Sequence, residues 1–145
     1  MMTYQEEKIS DILEEVRPLT VMNHQDTDLF GEPLDVDMPV LLQMEEMGMV
    51  RVYTMRKSGE LVGYYQVMIY MHLHHKTFLI ANQDTIFIKK GHRGHASKFV
   101  QYCDGELKKL GVRVVLQHSP VTNDWRKVLE RIGYSELQTT FQRRL

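Results

Sequence analysis

The chain has 145 residues, 43% hydrophobic and 26% charged, with a formal net charge of −1 and one cysteine. That size suits a single domain spanning residues 1–145 with its own core. The near-neutral charge argues against nucleic acid as a partner, the lone Cys103 excludes an internal disulfide and fits a reducing compartment, and no apolar run approaches the length of a membrane span.

The opening stretch, MMTYQEEKISDILEEV, is polar and acidic, unlike a signal peptide, so the expected location is the cytoplasm. Within it Ile9, Ile12, Leu13 and Val16 have the spacing of one helical face over residues 5–17, and Pro18 is where that helix should stop. Residues 20–38 show no clean period and read as a loop or broken helix. Asp37 can cap a second helix with Pro39 in its first turn, Val40, Leu41, Met44 and Met47 inside, and Gly48 at its end.

MVRVYTMR alternates as a strand, Lys57-Ser58-Gly59-Glu60 is a turn, and LVGYYQVMIYMHLHH is a second, longer strand, so the two form a hairpin. A third strand covers Phe78 to Lys89. After Arg93 comes the clearest helix, with Ala96, Phe99, Val100, Cys103, Leu107 and Leu110 on one side and Gly111 closing it. VRVVLQH is a nearly continuous apolar run, the mark of a strand covered on both faces. Asn123 or Asp124 caps a last helix that buries Trp125, Val128, Leu129 and Ile132 and ends at Gly133, and LQTTFQRRL predicts a final strand. The segment Phe78–His118 is then a β–α–β unit with parallel strands and a right-handed crossover. With the antiparallel hairpin in front of it, the chain predicts an α/β (α+β) fold: a mixed central sheet, antiparallel in its N-terminal part, with helices on both faces.

The chemistry concentrates in DTIFIKKGHRGHASK, where a strand runs through glycines and basic residues into a helix. Two readings fit. One is an ordinary glycine-bearing turn with solvated lysines. The other is a seat for phosphate groups, since a helix N-terminus offers unpaired N–H groups and partial positive charge, and Lys89, Lys90, Arg93 and Lys98 surround it. His72 and His74 would share one face of a strand end, with His75 on the other. A His-x-His pair can bind zinc, but a site needs a third ligand, so no metal is assigned and these two side chains are read as lining an acceptor cleft.

Arg93-Gly94-His95-Ala96-Ser97-Lys98 resembles the acetyl-CoA loop of the GNAT N-acetyltransferase superfamily, in which Gln/Arg-x-x-Gly-x-Gly/Ala opens a helix. Ala96 and Lys98 stand at the motif's glycine positions. Asn123 and Gly133-Tyr134 are similar to the start and end of that family's late helix, and the order of elements matches over most of the chain. Leu34-Asp35-Val36-Asp37, Leu61-Val62-Gly63-Tyr64, His72-Leu73-His74-His75 and Asp84-Thr85-Ile86-Phe87 resemble divergent GNAT-like proteins of bacteriophages, which would place the chain in a host cytoplasm.

The resemblance implies a GNAT fold whose two central parallel strands splay, and an enzyme using acetyl-CoA as cosubstrate with an amine acceptor, small molecule or protein, that attacks directly. It implies that the strand bearing Ile86 and Ile88 pairs with the cofactor through backbone near Lys89 and Lys90. Residues Arg93, Gly94, His95, Ala96, Ser97 and Lys98 would hold its pyrophosphate, with Asn123 nearby. Asp84, predicted to share a face with Ile86 and Ile88, is the expected base. The family's acid position holds Leu129, so Tyr134 and His118 are the expected substitutes. The competing reading is an inactive GNAT-fold protein of viral origin that binds a host or virion protein. An edge strand at 136–145 would allow a homodimer.

Overall fold

A computed structural model describes all residues, Met1–Leu145. The first element is a strand that the helical reading of the N-terminus missed. Met2–Glu7 forms β1, and the chain turns helical only at Ile9–Thr27, α1. β1 pairs antiparallel with β2 (Val50–Lys57), whose register sets Met2 opposite Lys57 and Glu7 opposite Val52. The periodicity at Ile9, Ile12 and Val16 is genuine, but it belongs to α1 alone.

α1 also runs straight through Pro18 instead of stopping there. An interior proline costs about 3 kcal/mol, through a lost hydrogen bond and a clash with the carbonyl four residues back. Here Pro18 and Glu14 both lie on the exposed face, so water reaches that carbonyl. On the opposite face Val16 and Leu19 are buried against the sheet, which offsets the cost. The irregularity sits earlier, at Ile12, where φ −122° and ψ 17° depart from helix. Lys8, at the N-cap, provides no side-chain cap. Glu45 supplies it from the second helix: its carboxylate accepts from the Ile9 N–H at 2.6 Å and the Ser10 N–H at 3.3 Å, the favourable arrangement of an anion at a helix start.

That second helix, α2, spans Met38–Glu46, with Asp37 accepting from the Val40 N–H at 3.3 Å as the sequence predicts. It buries no residue, however, and Val40 and Met47, expected inside, are 48% and 65% exposed. β2 turns into β3 (Glu60–Met71), which pairs antiparallel with β4 (Leu79–Ile88). Gly63 of β3 is required by close approach, since a Cβ there would lie 3.1 Å from the Phe87 carbonyl oxygen and 3.2 Å from Ile88 Cγ1.

A 3₁₀ turn at Lys90–His95 leads into α3, Ala96–Lys109, so the helix begins three residues later than Arg93. Leu110, expected on its inner face, is 40% exposed because α3 has ended. β5 is only Val114–Leu116, half-buried, and lies parallel to β4. α4 is Arg126–Arg131, burying Leu129. Neither Asn123 nor Asp124 is its N-cap: Trp125 holds that place without a side-chain cap, Asp124 just before it accepts from the Arg126 N–H at 2.9 Å, and Asn123 is exposed. The predicted final strand does not form. Residues 134–145 carry no regular structure, and Leu137 and Phe141 are 74% and 89% exposed. The strand-edge basis for a homodimer is therefore absent. The tail instead reaches the segment after α1, where Arg144 donates to the Phe30 carbonyl at 2.7 Å and pairs with Glu32.

The sheet order is β1-β2-β3-β4-β5, mixed, with helices on both faces. On one face Ile9, Ile12, Val16 and Leu19 of α1 pack with Val52, Leu61, Tyr64 and Phe87. On the other Phe99, Cys103 and Leu107 of α3 pack with Tyr53, Met55, Tyr65, Val67 and Ile88.

Candidate active site

The site follows from where the parallel pairing stops. β4 and β5 are matched only at Ile80–Val114, Ala81–Val115 and Asn82–Leu116. β4 continues to Ile88 while β5 ends, so the edge from Gln83 to Ile88 has no strand beside it. Two side chains hold the mouth of this fork. The His118 N–H donates to Gln83 Oε1 at 2.9 Å, and His118 Nε2 pairs with Asn82 Oδ1 at 2.6 Å. Trp125 Nε1–H closes the same corner by donating to the His118 carbonyl at 2.7 Å.

A groove of ≈ 1010 Å³ opens along that free edge. Its walls are α1 and the segment after it (Thr20, His24, Phe30, Asp35), the β4 edge (Gln83 to Ile88) and the start of the last helix (Asn123, Trp125, Val128). Of the residues predicted from sequence, Asp84, Ile86, Ile88, Arg93, Ala96, His118 and Asn123 line it together. Lys89, Lys90, Gly94, His95, Ser97 and Lys98 surround its end without lining it.

The turn at that end differs from the one expected. Unpaired amides do not begin at Arg93, because the 3₁₀ turn uses some of them: the His92 N–H donates to the Lys89 carbonyl at 2.9 Å, and the Ala96 N–H to that of Arg93. Past it, His95 at the N-cap of α3 gives no side-chain cap and the first turn holds no acid. Gly94 is exposed, and a Cβ there would meet no protein atom within 4 Å, as at Gly91 of the same turn. The Arg93 side chain is spoken for. Its Nε donates to the Ile88 carbonyl at 3.0 Å and its Nη2 pairs with Asp26 at 3.0 Å, which ties the end of β4 to α1. Lys89 pairs with Glu60 at 2.9 Å, and Lys98 is exposed.

Asp84 corrects the alternation argument. Thr85 faces Gln66 and Gln83 faces Val67, so Asp84 is the extra residue of a β-bulge. The bulge turns its carboxylate away from the Ile86 and Ile88 side. Asp84 Oδ2 accepts from Gln66 Nε2 at 2.8 Å and from Thr85 Oγ1 at 3.1 Å, on the face that α1 covers. It is exposed to the groove, not set among apolar neighbours. Tyr64 lies on the same face, its hydroxyl sharing a 3.1 Å hydrogen bond with Thr20 Oγ1, and burial pushes its pKa up to about 12.

Tyr134 is placed elsewhere. Its hydroxyl donates to both carboxylate oxygens of Asp104, at 2.8 Å each, and does not line the groove. Burial, and next to it the Asp104 carboxylate, raise its pKa further from neutrality. His72 and His74 are also remote. β3 ends at Met71, so they sit in the turn before β4, outside the groove, with the His72 and His75 rings 4.7 Å apart. The sequence reading missed Gln66, a polar residue within the apolar strand segment YYQVMIY, and Gln83, which latches the fork. The first had a visible signal: a lone amide in a buried strand needs a polar reason to be there.

No protein-family model matches the sequence, and no curated protein matches it. Solved structures do match in three dimensions. The ribosomal-protein-alanine N-acetyltransferase from Brucella melitensis biovar Abortus 2308 superposes with a TM-score of 0.79 at 18% identity, covering 100% of this chain and 98% of that one. A predicted acetyltransferase with acetyl-CoA from Clostridium acetobutylicum gives 0.72 at 12% identity, over 99% and 96% of the two chains. An aminoglycoside acetyltransferase from an uncultured soil metagenomic sample, in complex with sisomicin, gives 0.75 at 12% identity over 99% and 96%. With its mixed sheet, its forked parallel pair and these neighbours, the chain has the fold of the GNAT N-acetyltransferases.

Proposed function

We propose that the chain is an N-acetyltransferase that moves an acetyl group from acetyl-CoA to a primary amine. The observation that carries this reading is the fork: the β4 edge from Gln83 to Ile88 lies free beside a long groove, and the uncapped start of α3 with Gly94 stands at its end. Acetyl-CoA, when bound, supplies an acyl thioester open to attack by a neutral amine. The backbone of Ile86 to Lys90 would hold its arm, and the turn from Arg93 to Lys98 at the start of α3, with Asn123 across the groove, would face its phosphates.

Asp84 takes the proton of the acceptor ammonium. Its hydrogen bonds from Gln66 and Thr85 fix the carboxylate toward the groove. Direct attack is favoured over an acyl-enzyme because no serine or cysteine lines the groove. Cys103 is fully buried under α3, and burial raises its thiol pKa, so it is no acyl carrier. Of the two proton donors expected for the departing thiolate, His118 lines the groove and Tyr134 does not. The inactive alternative drew on Lys98 in the motif and on Leu129 at the acid position; Lys98 does not line the groove, which speaks for the enzymatic reading. The bacteriophage-type affinity and the host-cytoplasmic location belong to this reading through the sequence motifs. No helix is long and apolar enough to cross a membrane.

Isothermal titration with acetyl-CoA, followed by thiol release with a panel of amines, tests the reading. Saturable binding and turnover are expected, with Asp84→Asn lowering kcat about 10²-fold or more while leaving acetyl-CoA affinity in place. Absence of binding at millimolar acetyl-CoA would end it.

A further inference from the structure

We infer that a side cavity beneath α2 is the acceptor's specificity pocket, and that the acceptor is a primary amine carried next to an apolar side group. This rests on the transferase reading for its chemistry, and on a separate set of observations for its geometry.

The cavity, ≈ 220 Å³, adjoins the groove, and Asp84 and Gln66 line both. Leu41 and Met44 of α2 form one wall, and Val50 and Met68 of the sheet the other. At ~30 Å³ per water it has room for about seven waters, or for an apolar group of leucine or methionine size. Its polar content sits at the junction with the groove. Gln66 is only 8% exposed, and its Nε2 donates to Asp84 Oδ2. Gln66 Oε1 accepts no hydrogen bond, and neither does Asp84 Oδ1, since both bonds to that carboxylate go to Oδ2. That amide oxygen is not sealed in the core but open to a bound group, on a side chain that lines both the groove and the side cavity. Unpartnered acceptor oxygens on two hydrogen-bonded side chains, one of them charged, suit a group with several N–H donors and a positive charge, which is an ammonium.

The rest of the acceptor follows from what lies beyond that pair. The only other carboxylate in the side cavity is Asp37, at the α2 start, where its Oδ1 accepts from the Val40 N–H at 3.3 Å. A polyamine would place further cations against Leu41, Met44, Val50 and Met68 with Asp37 alone to pair them, at a desolvation cost. An apolar group there gains burial instead. An amine beside an aliphatic or thioether side chain fits both halves: the nitrogen at Gln66 and Asp84, the side group under α2. That chemistry occurs in a free apolar amine and in a polypeptide beginning with an apolar residue.

Acceptor binding is read by isothermal titration on the full chain, without acetyl-CoA. The probes are leucinamide, glycinamide, a pentapeptide beginning with leucine, N-acetyl-lysine amide and spermidine. Leucinamide or the peptide should bind at least about tenfold tighter than glycinamide. A peptide preference over leucinamide identifies a polypeptide N-terminus, and parity a free amine. Met44→Trp fills the cavity from a helix that buries no residue of its own, so the fold should persist, and it should erase the leucine preference. Gln66→Met keeps the shape without the free oxygen, and should weaken every amine probe. The inference is overturned if spermidine or N-acetyl-lysine amide binds as well as leucinamide, if Met44→Trp leaves the preference intact, or if no probe binds. Loss of acetyl-CoA binding alongside intact leucinamide binding strikes the transferase reading and leaves the pocket assignment standing.

Discussion

Tyr134→Phe separates a structural tyrosine from a catalytic one. In the fold, the Tyr134 hydroxyl is the sole side-chain donor to Asp104, reaching both oxygens at 2.8 Å. The contact from Gln117 Nε2 to that hydroxyl, at 3.5 Å, is too long to count for much, and Gln117 has a better bond to Tyr65 at 3.0 Å. Removing the hydroxyl therefore strands a half-buried carboxylate. Leaving a buried acceptor without its donor costs about 1–3 kcal/mol, and because Asp104 keeps some contact with solvent, about 2 kcal/mol is expected. For a chain of this size that lowers Tm by roughly 4–8 °C. The pH dependence carries a signature. Burial raises the Asp104 pKa above its ordinary 3.8, and the Tyr134 bond pulls it back down. A carboxyl raised in the folded state favours folding below its unfolded pKa, and that contribution is lost as pH rises through the folded value. Without Tyr134 the folded pKa climbs further, so the deficit should be greatest near neutral pH and shrink toward pH 4. Urea unfolding from pH 4 to 8, beside thiol-release kinetics at pH 7.5, reads both. A Tm within 1 °C of the parent combined with a kcat drop of about 10²-fold would refute this and return Tyr134 to the role of proton donor.

Three further outcomes are expected. Gly94→Ala should leave Tm unchanged or slightly raised, because its Cβ meets only open space, yet weaken acetyl-CoA binding in calorimetry at least about tenfold, or 1.4 kcal/mol. Asp104→Asn keeps an acceptor for Tyr134 without the buried charge, so stability at pH 7–8 should rise by about 1 kcal/mol and lose part of its pH slope in urea titrations. Arg56→Met removes a guanidinium whose side chain is 13% exposed and which donates to Glu7, Glu15 and the Gly59 carbonyl. Burial acts to raise the Glu7 pKa, but hydrogen bonds from Arg56 and Thr54 hold it below 4.5 overall, so the pair contributes above that pH and fades as pH falls. A loss of about 3 kcal/mol at pH 7 is expected for the uncompensated carboxylate, narrowing below pH 4 in the same assay.

The sequence by itself determined what depends on neighbours along the chain. The hairpin was legible because a period of two persists through MVRVYTMR and LVGYYQVMIY on either side of Ser58-Gly59. α3 was legible because Phe99, Val100, Cys103 and Leu107 keep helical spacing, and the Asp37 cap because it is a bond between residues three apart. The Arg93-Gly94 turn was visible as a glycine-bearing junction, and the resemblance built on it named the fold. Tertiary structure decided the rest, wherever partners lie far apart in the chain. MTYQEE became β1 because β2 offers it an edge, a ladder that no local period announces. Pro18 stayed within α1 because Val16 and Leu19 gain burial against the sheet. The residues 137–145 had a strand pattern but no partner edge, and remained irregular. At the site the same division holds. Period-two alternation set Asp84 beside Ile86 and Ile88, and one extra residue between Gln83 and Thr85 turned it toward Gln66. Tyr134 had the right chemistry for a proton donor, but the fold gave its hydroxyl to Asp104. Local free energy is written in spacing, whereas the direction of a side chain at a bulge or a helix end is set by the surface it meets.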